Sequence, residues 1–268
     1  MRDLSRRWGW AAVLVVGLGL YFLVLATLVH TQNPNFVPAL ILLGASVVPA
    51  AFLTFAQGRS GRWQVPASVL VVTAFFGGVI GVVVAGTLEF DALRDLGVLS
   101  MVVVALIEQS AKLIVPVLLL TTVVVRHGRR TPSDGVIVGI ASGMGFAALE
   151  TMGYAFTALL QSQGNIGDVE QTLFIRGLTA PAGHTAWTGL TGGALWLLIS
   201  APTGRHLLGF LGTFAGAVAL HATWDSFGRI VTYLVLAAIS LTWLFLTLHR
   251  YRTVNPAAGP ELMFAPAT

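Results

Sequence analysis

Apolar residues run along this chain in long blocks broken by short polar segments. Blocks long enough to cross a bilayer, about 20 residues each, recur eight times, at 8–29, 36–56, 65–85, 96–125, 135–160, 182–200, 206–227 and 230–249. The connections at 31–35, 57–62, 87–95, 126–133 and 201–205 are short and polar, and the longest one covers 161–176. No internal repeat is visible. The pattern predicts an all-α fold, a polytopic transmembrane helical bundle of about eight helices. It forms one membrane-embedded domain over residues 1–253, followed by a disordered cytoplasmic tail at 254–268, rich in Pro and Ala.

Composition supports the bilayer as solvent. The chain is 56% hydrophobic and 10% charged, whereas a soluble domain carries about 25% charged residues. Its basic balance, a net charge of +4, comes from arginines set singly or in small groups between the apolar blocks, so it argues for membrane topology and against nucleic acid. Arg2, Arg6, Arg7, Arg59, Arg62, Arg126, Arg129, Arg130, Arg205, Arg250 and Arg252 fall in alternate connections or at the ends. The intervening connections carry no base or are acidic, as with Glu89, Asp91 and Asp95 against Arg94. Arg176 and Arg229 are the exceptions. By the positive-inside rule both termini are expected in the cytoplasm. The first block resembles a signal peptide in following three arginines, but it is too long for a signal core of about 7–15 residues and lacks a cleavage site, so it reads as a retained helix. Cysteine is absent, which removes disulfides and thiol chemistry.

Ionisable groups inside the blocks change the picture. A charge at mid-bilayer costs about 2.5–3.5 kcal/mol on insertion scales, so each such group is a functional candidate. Glu108 and Lys112, the chain's single lysine, share one face of the fourth block at i, i+4. Glu150 follows Gly139, Gly143 and Ala147 in the fifth block, a small-residue ridge suited to close helix contact. The sixth block holds His184 one turn before Thr188, and the seventh holds His221 one turn before Asp225. A carboxylate one turn from a histidine orients the ring or joins it on a metal. Counted along their helices at 1.5 Å per residue, all these groups fall in the outer half of the bilayer. His30, His127, His206 and His249 sit at block ends or in connections and read as interfacial.

Four of these segments together resemble the PrsW family of intramembrane proteases, and more distantly the CAAX-processing and bacteriocin-processing proteases. They are Glu108-Gln109-Ser110-Ala111-Lys112, Phe146-x3-Glu150, His184-x3-Thr188 and His221-x3-Asp225. The resemblance runs from the fourth block to the seventh. Gln109 departs from it, standing where the family has a second glutamate. In the related CAAX proteases the first glutamate activates water, and that position is Glu108.

The resemblance implies peptide hydrolysis inside a bacterial cell membrane, on a membrane protein or peptide, with Glu108, Lys112, Glu150, His184 and His221 as catalytic residues. Water is held either by a divalent metal such as zinc, on His184, His221 and Glu150 or Asp225, or by Glu108 and a histidine without metal. Neither form is chosen by the residues alone, since there is no His-Glu-x-x-His motif. Buried acid–base groups also serve proton-coupled transporters and channels, and a catalytically inactive membrane scaffold is the third alternative.

Overall fold

The computed structural model describes residues 2–59, 65–97, 100–127 and 131–252. The expected tail at 254–268 and the loop arginines Arg62, Arg129 and Arg130 lie outside the described residues. Among the described residues the chain forms nine α-helices: α1 (Arg2–Thr31), α2 (Val37–Arg59), α3 (Ala67–Leu96), α4 (Met101–His127), α5 (Pro132–Gln161), α6 (Ile166–Thr179), α7 (His184–Ser200), α8 (Gly204–Ser226) and α9 (Ile230–Arg252). A 3-10 turn, Pro34–Phe36, links α1 to α2. The molecule is a polytopic helical bundle, and seven of its helices are long and apolar enough to span a membrane. It is an integral membrane protein.

Two segments differ from the sequence expectation. The long connection at 161–176 is not a loop, because most of it is helix α6. Asn165 starts this helix by accepting a bond from the Gly167 N–H at 3.0 Å, and Val169, Leu173 and Gly177 form its buried stripe at i, i+4, i+8. With 14 residues it extends about 21 Å, too short to cross the hydrocarbon. Its charged residues Asp168, Glu170 and Arg176 also break the apolar run. The second difference is at 87–95, where α3 continues as helix through Glu89, Asp91 and Arg94 to Leu96. Arg94 pairs with Asp91 at 3.0 Å and with Asp95 at 2.9 Å, and Gly97, at a φ of 70°, ends the helix in the left-handed region.

At the centre of the bundle stands α5. Apolar burial adds little between helices in lipid, so close approach and van der Waals contact must hold them. The expected ridge provides the approach to α7: a Cβ on Gly139 would strike the Thr188 backbone, and one on Gly143 the carbonyl of His184. On another face Gly145 lies against the Ala74 backbone of α3. Ser142 donates to the Lys112 carbonyl at 2.7 Å, tying α4 to α5. Trp187 donates from Nε1 to Ser240 at 2.9 Å, tying α7 to α9. With α8 packed on both α4 and α7, the helices α4, α5, α7 and α8 surround one point.

Candidate active site

Glu108 and Lys112 come from α4, Glu150 from α5, His184 from the first residue of α7, and His221 and Asp225 from the last two turns of α8. The six side chains meet in one cluster. Its hub is a single oxygen, Glu108 Oε2, which lies 3.2 Å from Lys112 Nζ, 3.7 Å from His184 Nδ1 and 3.5 Å from His221 Nε2. Lys112 is fully buried, at 0% exposure, and its ammonium also lies over the Phe146 ring, 4.5 Å from the centroid.

The two nitrogens of His184 face different partners. Lys112 Nζ lies 2.8 Å from Nδ1. An ammonium only donates, so Nδ1 accepts, and the ring proton of the neutral imidazole sits on Nε2. Nε2 is 2.9 Å from Glu150 Oε2. The same carboxylate oxygen lies 2.7 Å from Arg176 Nη2. Thus Glu150 Oε2 stands between an imidazole nitrogen and a guanidinium at ion-pair distance, with hydrogen-bond geometry to neither among the described residues. On the other histidine, Nε2 lies 3.1 Å from Asp225 Oδ2 as well as facing Glu108, and the Trp187 ring covers it at 4.9 Å between centroids. His221 Nδ1 is buried without a hydrogen-bond partner among the described residues.

Thr188 does not join the cluster. Its Oγ1 is buried without a hydrogen-bond partner among the described residues, and the residue packs where Gly143 leaves room. Arg176 and Glu89 are site residues that the sequence reading missed. In the sequence Arg176 reads as a loop charge out of step with the topology, yet on α6 it reaches Glu150 and also Thr151 Oγ1, at 3.3 Å. Glu89 reads there as a loop acid. On the extended α3 its Oε1 is shielded from solvent and has no hydrogen-bond partner among the described residues, one turn beyond Ala85, which packs on Ala111 of α4. A signal for both existed in the helical spacing: Leu173 and Gly177 place α6 against the bundle beside Arg176, and Gly81, Ala85 and Glu89 recur every fourth residue.

A metal fits this donor set. Glu108, His184 and His221 each offer one ligand atom, and all three atoms lie within 4.8 Å of one another. Zinc–nitrogen and zinc–oxygen bonds of about 2.0–2.1 Å put tetrahedral ligand atoms about 3.4 Å apart, close to the 3.5 and 3.7 Å separations from Glu108 Oε2. Glu150, expected as a ligand, instead faces the opposite nitrogen of His184, the place of an orienting carboxylate. Asp225 stands beside His221. A cavity of about 100 Å³ opens on the cluster, lined by Glu150, Arg176, His184, Trp187, Asp225 and Tyr233 among others. Glu108 and Lys112 are not among its lining residues.

A family model described as PrsW family intramembrane metalloprotease matches residues 65–249, more than half of the chain. No curated protein matches the chain, and no solved structure does.

Proposed function

Since the chain belongs to the PrsW family of intramembrane metalloproteases, we propose that it cleaves peptide bonds of membrane proteins at the Glu108–His184–His221 cluster, in the outer half of the bilayer. The family makes it a peptidase with a protein substrate. The observation that carries the site is the convergence of two histidine nitrogens on one buried carboxylate oxygen, at 3.7 and 3.5 Å.

His184 Nδ1, His221 Nε2 and Glu108 Oε2 would hold a divalent ion, zinc being the best match to two imidazoles and a carboxylate. Once bound, the ion supplies Lewis-acid polarisation of the scissile carbonyl. Glu150 favours the proton of His184 on Nε2, so that the ring's lone pair stays on Nδ1. Arg176 fixes Glu150 in turn. Glu150 and Asp225 line the cavity and Glu108 does not; with Glu150 engaged by His184 and Arg176, Asp225 is the carboxylate left to meet a water entering the cavity. It takes the proton as that water attacks, which moves the base role from Glu108 to Asp225. Trp187, Trp224 and Tyr233 wall the cavity's apolar side and limit competing solvent.

Hydrolysis of a single-span substrate in liposomes, paired with metal analysis, tests these roles. Glu108→Gln should lose both bound metal and cleavage. Asp225→Asn should keep the metal and lose about 10²–10⁴-fold in rate, the usual cost of removing a general base. A Glu108→Gln protein that cleaves at the wild-type rate would refute the site. Full activity in Asp225→Asn would return the base role to Glu108.

A further inference from the structure

One lone pair of His184 has two claimants. Nδ1 accepts from Lys112 Nζ at 2.8 Å, and the same lone pair faces Glu108 in the donor triangle. An imidazole nitrogen has one lone pair, so it cannot accept from an ammonium and ligate a metal at once. Lys112 also spends a contact of 3.2 Å on Glu108 Oε2, a second member of the triangle. The lysine thus satisfies two of three ligand atoms as a cation of the protein's own, and a metal ion must displace it.

A second seat lies within the bundle. Ala85 of α3 packs with Ala111 of α4 and with Phe146, and Gly81, one turn earlier, faces the Phe146 ring. One turn further along the same stripe comes Glu89. Because α3 and α4 run antiparallel, the level after Ala85–Ala111 pairs Glu89 with the turn that carries Glu108. Glu89 Oε1 is shielded and has no hydrogen-bond partner among the described residues. A buried carboxylate oxygen without a donor is costly unless some state of the protein satisfies it.

We propose that Lys112 is a resident cation that holds the Glu108–His184 seat in the metal-free protein and moves to Glu89 when a divalent ion binds. This rests on the metal reading given above, and it adds a positioning role for Lys112 and a new site residue, Glu89. Only the partner of the lysine changes. Two consequences follow. The empty site is neutralised without metal, and apparent metal affinity is lowered by the fraction of molecules in which the lysine holds the seat.

Cobalt(II) titration of the purified full-length protein in detergent, read by visible absorption and by the metal-induced shift in Tm, tests this. Lys112→Met should bind cobalt about tenfold more tightly if the seated form dominates by that factor. Its metal-free form should melt lower, with cobalt restoring more Tm than in the wild type. Glu89→Gln should weaken cobalt binding while leaving the metal-free Tm unchanged, because it removes only the second seat. Lys112→Arg keeps a cation at the position and should not tighten binding. A merely structural ion pair would lower Tm in Lys112→Met and leave affinity and spectrum alone, and that result overturns the proposal. So does an unchanged affinity in Glu89→Gln, which also decides the matter if Lys112→Met fails to fold. If the wild type and all variants bind no cobalt, the metal reading itself fails and this inference with it; equal binding by all overturns the lysine exchange alone.

Discussion

Glu108 Oε2 serves Lys112, His184 and His221 together, so its neighbours are not independent. Arg176 acts one step removed. Its contact of 2.7 Å with Glu150 fixes the carboxylate that orients His184. Arg176→Gln should therefore lower the rate about 10–100-fold, the range for an outer partner of a metal-bound histidine, and should weaken zinc binding in parallel when both are measured on one preparation. Gln109 behaves in the opposite way. It is buried at 1% exposure, and neither of its amide atoms has a partner among the described residues. Removing an unsatisfied polar group costs nothing in lost bonds. Gln109→Leu should leave Tm unchanged or raise it, whereas most buried polar deletions lower it; a fall of several degrees would reveal a bond to the amide.

Among the helices, the close approach of α5 and α7 sets the position of His184, because its carbonyl lies against Gly143. Gly143→Val forces the two helices apart. Overpacking of this kind costs about 1–3 kcal/mol, and it should lower both Tm and cleavage. Gly153→Ala on the same helix meets open space and should leave cleavage unchanged and Tm unchanged or slightly raised, since Ala is the better helix former. Thermal melts of the two variants check the contrast. The residues on α4, α5, α7 and α8 were legible in the sequence because a charge or histidine stands out inside an apolar block. Arg176 and Glu89 were not, because each lies beyond the end of a block. There the sequence pattern does not separate a polar loop from a helix that continues. For α6 the apolar stripe is only three residues long, and its packing partners lie far off in the chain.

For the whole molecule, the seven long spans leave the topology resting on α7. Its 17 residues reach about 25 Å, slightly less than the roughly 30 Å hydrocarbon core. Both termini share the cytoplasmic side only if α7 crosses. Reporter fusions after Gln163 and after Thr203 should then report opposite sides, with the outside at Gln163; the same side at both would make α6 and α7 one re-entrant unit and put the C-terminus outside. The bundle also has a periphery. In α1 only 6% of the spanning window is buried, so an unrelated Leu/Ala-rich span should replace it with cleavage retained in liposomes.

The i, i+4 pairing of Glu108 with Lys112 also matters to the order in which the chain is made. When α4 enters the membrane, neither histidine has been synthesised, and the ribosome has yet to reach Arg176. Each acid must spend that interval in lipid with whatever its own helix provides. Glu108 has Lys112 one turn away, and Asp225 later arrives with His221 at the same spacing. Glu150 waits for a cation from a later helix, Arg176 of α6. In a translocon assay of single helices, an α4 segment with Lys112 moved to the opposite face should insert less efficiently than the native segment of identical composition. The α5 segment should gain efficiency when the chain is extended through Arg176.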